Sequence, residues 1–518
     1  MTADFDLIVV GSGFGGTILS RIAMKLGLRT LLLERGTHPR FAIGESTSPL
    51  SNLILEELAI RYDLQDLLPL TSYGTWQEKY PDLPCGLKRG FTFFEHFPAE
   101  RCQASHNPKA QLMVAASPDD SVADTHWYRA ALDKWLVDGA IQEGVDFQDR
   151  TEIQRIHREE DSWILEGASS KYSCRFLVDA TGPRGLLFRL FSLKDAGFDN
   201  FPATQAIYSH FTGVKRCEDH EDFASPAPAP YPMDSAAVHH IFPGGWMWSL
   251  PFNNGVTSAG VVVEEEFANR FTISEGKQEA WKQFLSLFPS ISDLFIDAEP
   301  VQPFYHTARV SFRSSLAAGD GWAMLPSAAS SIDALFSTGI PLTLLGIQRL
   351  ARLLEKEKIP NQKALKVYSE ITLSEADNAA RYIEACRRSM SCFSLFTSLS
   401  MFYFAAASYS EMARRLQKLH LASRYLASDR EEFMAGFYRC MDLLPSALDC
   451  KNQTILDRFE FLTAEAIHSL NVAGLCDSEK QNRYWVDMND LILSAGKLEM
   501  TQEQMRSLLA SAPWANFG

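Results

Sequence analysis

Residues 5–26 place the tightest limit on what this chain can become. Phe5-Asp6-Leu7-Ile8-Val9-Val10 is a short apolar run with β-branched residues, followed at once by Gly11-Ser12-Gly13-Phe14-Gly15-Gly16 and then by the helix-like Thr17–Leu26. A strand, a glycine turn and a helix in this order form one unit of an open parallel sheet. Gly11 permits the tight turn, Gly13 lets backbone amides approach a pyrophosphate, and Gly16 lets helix pack closely on strand, with the helix N-terminus facing the anion. A second strand, Arg29–Leu33, ends in Glu34, at the spacing where a ribose hydroxyl is met. A bare GxGxxG is weak; framed this way, it predicts an α/β dinucleotide-binding domain.

The 518 residues are enough for a large core and, at roughly one domain per 150 residues, for up to three units. A net charge of -15 argues against nucleic acid, whose phosphates need a basic surface. The nine cysteines are an odd number with no CxxC pair, which predicts reduced thiols and a cytoplasmic setting. The N-terminus shows no basic stretch leading into an apolar one, so no signal peptide is expected. Between Arg388 and Glu411 there is no charge, yet serines and a threonine interrupt the stretch; a buried helix lining a cavity is expected there rather than a membrane span.

Residues 84–96, Pro-Cys-Gly-Leu-Lys-Arg-Gly-Phe-Thr-Phe-Phe-Glu-His, set one lysine inside an apolar, aromatic strand pattern. On local pattern alone Lys88 or Arg89 decorates a sheet edge. Residues 49–63 read as a helix, and Tyr73 to about Arg101 as strands and turns. From about 203 to 310 the chain reads as strands, interrupted by an extended excursion at Ser225-Pro226-Ala227-Pro228-Ala229-Pro230. In Gly245-Trp246-Met247-Trp248-Ser249-Leu250-Pro251 two tryptophans at i and i+2 place both indoles on one face. Beyond residue 341 helical spacing appears at 342–356, 362–392, 393–417, 429–442 and 455–470, which predicts a C-terminal all-helical region.

The stretch from Glu34 to Ser46, with Arg35, Pro39-Arg40-Phe41 and Gly44-Glu45-Ser46, resembles the flavoprotein monooxygenase superfamily and, more closely, the flavin-dependent halogenases. Gly245–Pro251 matches the halogenase pattern Gly-Trp-x-Trp-x-Ile-Pro, with Leu250 for Ile. Arg129 to Asp133 resembles the Arg-x-x-Leu-Asp element of the superfamily, Phe176–Gly182 a second strand returning to the flavin domain, and Gly319-Asp320 a Gly-Asp fingerprint. Asp333-Ala334-Leu335-Phe336-Ser337-Thr338-Gly339 resembles Asp-Pro-Leu-x-Ser-x-Gly, with Ala334 replacing proline. The resemblance covers roughly residues 4–350 and is closest to the branch acting on phenols.

The resemblance implies a fold in which an FAD-binding Rossmann-like domain is interleaved with an antiparallel β-sheet domain. Residues 1–345 would form this module, with flavin segments near 1–70, 125–185 and 305–345 and sheet segments near 71–124 and 200–304; residues 346–518 would cap the substrate pocket. It implies FAD, used as FADH2 delivered by a separate flavin reductase, together with O2 and chloride or bromide. FAD would meet Gly11, Gly13, Gly16, Glu34, Arg35, Arg40, Arg129 and Asp320. The amides of Thr338 and Gly339 would cradle halide, and hypohalous acid would pass a tunnel marked by Trp246, Trp248, Pro251 and Phe336 to Lys88, with Ser337 beside it. A buried ammonium can polarise hypohalous acid, and a neutral amine can become a haloamine. Tryptophan halogenases place a glutamate where Phe336 stands, so the departure points to a phenolic substrate, free or tethered to a carrier protein. His96, His126 and Glu95 are candidate bases. The alternatives are an FAD-dependent aromatic hydroxylase, an FAD-dependent isoprenoid reductase, and a flavin-binding protein without halogenase chemistry.

Overall fold

The computed structural model describes residues 3–225, 227–271 and 276–512; Pro226 of the proline-rich excursion lies outside the described residues. In chain order the elements that build the site are strands β1 (Phe5–Val10), β2 (Thr30–Leu33), β3 (Cys85–Lys88), β4 (Gly90–Glu95), β5 (Gln111–Ala115), β6 (Asp124–Trp127), β7 (Lys171–Asp179), β8 (Thr204–Thr212), β9 (Ala237–Phe242), β10 (Gly245–Pro251), β11 (Val256–Glu264) and β12 (Trp322–Met324). The helices are α1 (Phe14–Lys25), α2 (Pro49–Arg61), α3 (Arg129–Gln142), α4 (Gly339–Lys356), α5 (Gln362–Arg388), α6 (Phe393–Arg415), α7 (Glu431–Ala447) and α8 (Gln453–Ile467).

Two large sheets organise the molecule. In the first, β12, β7, β1, β2 and Asp146–Gln148 lie parallel in that order. The apolar runs of β12, β7, β1 and β2 are buried on both faces, as a parallel sheet requires, while Asp146–Gln148 is a largely exposed edge. Val10 is level with Leu33 and Asp179, and Asp179 with Met324, so the glycine turn leaves β1 where its neighbours also end. Gly11 has φ +104°, and a Cβ added at Gly16 would lie 1.9 Å from the Gly11 carbonyl oxygen. Both positions therefore require glycine.

The second sheet runs Glu299–Pro300, β8, β11, β10, β9, β4, β5 and Arg483–Tyr484, with Tyr305–Thr307 also on β8. Along its strands residues alternate between two cores. Phe91, Phe93, Trp246 and Trp248 face the larger core, which reaches from Leu7 to Leu509. Phe94, Val238 and Met247 face a smaller one behind. A separate hairpin-like pair, β3 with β6, sits between the two sheets' elements and sets Lys88 opposite Asp124.

Three expectations are corrected. Tyr73–Lys79 is a short helix, started by the Ser72 side chain accepting from the Thr75 amide. The C-terminal region is not wholly helical, because Arg483–Tyr484 adds a parallel strand beside Met113–Val114. Its two residues are too few to register as a strand pattern in sequence. Nor are all cysteines reduced: Cys392 and Cys450 form a disulfide across a Cα separation of 5.8 Å, while the other seven are free. These two residues stand 58 apart in sequence and meet because the α5–α6 and α7–α8 connections converge, which no cysteine spacing announces. Among the described residues no helix is long and apolar enough to cross a membrane; α6, the charge-poor segment, is buried instead.

Candidate active site

The first half of the site gathers around the glycine turn. The Glu34 carboxylate, at the end of β2, accepts from the Ser12 hydroxyl at 2.8 Å, the Ser12 amide at 3.2 Å and the Gly36 amide at 3.0 Å, and lies 3.3 Å from the Arg40 guanidinium. Burial opposes its ionisation, but the Arg40 charge and these donors hold its carboxyl below the usual range. Arg129, the first residue of α3, is buried and clamped by Asp133 through two bonds of 2.8 Å, and it donates to the Ile43 and Gly44 carbonyls. This clamp supplies the partner that a cation at a helix start needs. A Cβ at Gly13 would fall 3.3 Å from the Arg129 guanidinium and 3.7 Å from that of Arg40. His38 Nδ1 and Arg40 Nε are buried without hydrogen-bond partners among the described residues. A glycine cradle, two guanidiniums and a carboxylate at the strand end match the phosphates and ribose of a dinucleotide, so the residues present fit FAD. Arg35 is exposed.

Asp320 does not join this group, which corrects the expectation. It lies in the tight turn between Ala318–Gly319 and β12, is 59% exposed, and pairs with Arg158. That turn opens β12 at the end opposite the glycine turn, since Leu177 is level with Trp322 and Asp179 with Met324. The chain that leaves β12 on the glycine-turn side is Leu325-Pro326-Ser327.

The second half surrounds Lys88. Its side chain is fully buried; Nζ donates to the Thr47 carbonyl, lies 3.4 Å from Ser337 Oγ, and sits 4.0 Å from the centre of the Phe91 ring. Arg89 points the opposite way, to Asp120 and the Ser117 and Pro118 carbonyls, as strand alternation dictates. Burial pulls the Lys88 ammonium below the usual lysine range, and the negative charge of Asp124 opposes this in part. Ser337 takes the left-handed conformation, φ +55°, and Thr338 caps α4, which begins at Gly339. A Cβ at Gly339 would meet nothing within 4 Å, so there is open space against the start of this 18-residue helix, whose first amides have no intrahelical acceptor.

The turn is fixed from behind. Asp333 is fully buried and accepts from Trp246 Nε1 at 2.9 Å, from the Leu335 amide at 3.1 Å and from Arg387 of α5 at 2.5 Å. Trp246 and Trp248 share a face, with centroids 5.8 Å apart, and Trp248 Nε1 reaches Ser258 at 3.2 Å. At the end of β10 the Pro251 carbonyl approaches β3 so closely that a Cβ at Gly86 would lie 2.2 Å away. Phe336 stacks on Tyr403 of α6, centroids 4.3 Å apart, while the Tyr403 hydroxyl donates to the Phe336 carbonyl. Next to this aromatic wall a cavity of about 160 Å³ is lined by Phe91, Asp124, Tyr403, Phe404, Glu411 and Trp485 among others.

A family model described as tryptophan halogenase matches residues 101–386. The chain belongs to this family of flavin-dependent halogenases. Monodechloroaminopyrrolnitrin halogenase PrnC of Pseudomonas fluorescens is 32% identical over 361 residues, 68% of this chain and 62% of its own length. Tetracycline 7-halogenase of Kitasatospora aureofaciens is 30% identical, over 65% of this chain and 61% of its own. The chain thus spans about three fifths of the length of those two relatives. Among solved structures, halogenase PltM in complex with phloroglucinol and FAD superposes with a TM-score of 0.82 at 22% identity, covering 93% of this chain and 99% of that one, which shows a shared fold.

Around this site the three candidate bases separate. His96 pairs with His240 at 2.9 Å on the sheet's far face. Glu95 meets the backbone of Phe393 at the start of α6, and burial pushes it up to about 7. His126 faces the Ala236 carbonyl and is held down to about 3 by burial and the Lys88 charge. None of the three lines the cavity. Sequence reasoning missed Asp124, His239, Tyr403 and Arg387. His239 lies on Phe93, ring centres 4.7 Å apart, and burial with the Lys88 charge holds it down to about 3. Only the β3–β6 register marks Asp124, and only helix docking brings Tyr403 and Arg387 to the turn.

Proposed function

We propose that this protein halogenates an electron-rich, phenolic aromatic compound with reduced FAD, O2 and chloride or bromide, through hypohalous acid guided to Lys88. The observation that carries this reading is a fully buried lysine whose Nζ lies 3.4 Å from Ser337 Oγ and 4.0 Å from the centre of the Phe91 ring, itself part of the cavity wall. Gly11, Gly13, Gly16, Glu34, Arg40 and Arg129 would hold the dinucleotide, and the Thr338 and Gly339 amides would hold halide, since local dipoles bind an anion despite a net charge of -15. When bound, the reduced flavin supplies hypohalous acid from O2 and halide. Lys88 then hydrogen-bonds to the oxygen of that acid and polarises its bond to halogen. A lowered pKa lets the ammonium give its proton to the departing hydroxide. Phe93, Phe336, Tyr403 and Phe404 exclude water around it, so that halogen is transferred to the ring rather than lost.

Phe336 puts a ring, not a carboxylate, beside Ser337, which suits a substrate carrying its own hydroxyl. A separate flavin reductase would supply FADH2 in the cytoplasm, and the substrate would be free or tethered to a carrier protein. The test is mass spectrometry of products from free and carrier-bound phenols with a generic flavin reductase, O2 and either halide. A halide-dependent mass shift is expected; robust indole halogenation with no phenol turnover would overturn the phenolic reading.

A further inference from the structure

We infer that Asp124 is the general base of the reaction: it takes the proton from the ring hydroxyl of the substrate while Lys88 presents the halogen. This rests on the halogenase reading above and assigns a role to a residue which that reading leaves out. Three observations carry it. Asp124 lies directly opposite Lys88 in the antiparallel β3–β6 pair, and opposed residues project from the same face. Asp124 is 3% exposed and is one of the residues lining the cavity. One oxygen, Oδ1, accepts from Asn52 Nδ2 at 2.7 Å, whereas Oδ2 is buried with no hydrogen-bond partner among the described residues.

A buried carboxylate oxygen left without a donor is costly, and a substrate hydroxyl is a donor of the right kind. The groups facing Asp124 are consistent with a working base. Burial raises its carboxyl; the Lys88 ammonium and Arg415 of α6 oppose this, Glu411 of α6 adds to it, and the Asn52 amide lowers it. The result is a group able both to take a proton and to return it.

The phenol O–H bond breaks and its proton passes to Asp124 Oδ2. The ring's electron pair forms the carbon–halogen bond as the oxygen–halogen bond of hypohalous acid breaks, and the departing hydroxide takes a proton from Lys88 to become water. The ring carbon then loses its proton, which returns to the Lys88 amine, and Asp124 gives its proton back to the phenolate oxygen. The net change is replacement of ring hydrogen by halogen with release of water.

The experiment compares wild type, Asp124→Asn and Asp124→Glu, loaded with FAD and supplied by a flavin reductase, on a series of phenols of falling pKa. For an unactivated phenol, Asp124→Asn should lower kcat by about 10²- to 10⁴-fold, the usual contribution of a general base. For a nitro-substituted phenol already ionised at the assay pH the loss should be under about tenfold, and Asp124→Glu should restore part of the rate. An equal loss across the series would show a structural role and overturn the inference, as would an unchanged rate. If Asp124→Asn fails to fold, the wild-type series decides: a shallow dependence of kcat on phenol pKa supports the base, and turnover confined to pre-ionised phenols overturns it. Failure of wild type on every phenol would instead strike the parent reading.

Discussion

The glycine-turn site and the lysine chamber are built on opposite plans. The first is made from neighbours: Gly11 to Gly16, Glu34 and Arg40 lie within thirty residues and are ordered by one strand–turn–helix unit, with only Arg129 brought from farther away. The second draws Thr47, Lys88, Asp124, Trp246, Ser337, Arg387 and Tyr403 from seven places in the chain. One site is coded locally and the other is an outcome of packing. The segment 43–47 bridges them, its carbonyls accepting from Arg129 at one end and from Lys88 at the other.

Several substitutions would break or sharpen this contrast. Lys88→Ala should abolish halogenation, by about 10³-fold or more, while flavin binding survives, because nothing in the glycine-turn cluster contacts Lys88; product formation at the wild-type rate would remove Lys88 from the chemistry. Arg387→Leu should cost about 3–5 kcal/mol in urea unfolding by stranding the buried Asp333 carboxylate. Because that ion pair lies only in the chamber, flavin affinity measured on the folded fraction should stay within about threefold, a shift under about 1 kcal/mol. Equal damage to both sites would show that they are not independent.

Acid should destabilise the chamber's sheet specifically. Burial holds His126, His239 and His240 down to about 3, so the unfolded chain, with ordinary histidines near 6.5, protonates first as pH falls. Stability present above pH ~6.5 is then lost toward pH ~3, at up to about 1.4 kcal/mol per pH unit for each histidine. Chemical unfolding at several pH values would read this, and His240→Asn should flatten the curve. Tyr403→Phe should cost about 1 kcal/mol through the lost bond to the Phe336 carbonyl. Asp320→Ala should leave flavin affinity unchanged in a fluorescence titration; a clear loss would return that residue to the flavin site.

What could be read from the sequence follows the same division. The glycine turn was legible because its residues are contiguous and each glycine has a backbone reason. The paired tryptophans were legible as a face, although the sequence could not show that Trp246 anchors the Ser337 turn through Asp333. Lys88 looked like an edge charge until the surrounding motifs gave it a setting. Asp124 carried no signal, since a carboxylate in Ala123-Asp124-Thr125 becomes meaningful only through its cross-strand partner. Asp320 was misread because a Gly-Asp dipeptide was matched without knowing which end of a strand it occupies. The disulfide was hidden for the same reason: two helix connections meet in space, not in sequence.

The short strand Arg483–Tyr484 has a consequence for the order of events during folding. It closes the edge of a sheet whose partner strand ends at Ala115, and Trp485, the next residue, lines the cavity. Contacts so distant in the chain form late, after local units have settled. The dinucleotide turn can therefore take shape early, while the enclosure around Lys88 waits for a segment nearly four hundred residues downstream. Dryness at the lysine therefore belongs only to the finished molecule, which closes this chamber after the strand–turn–helix unit has formed.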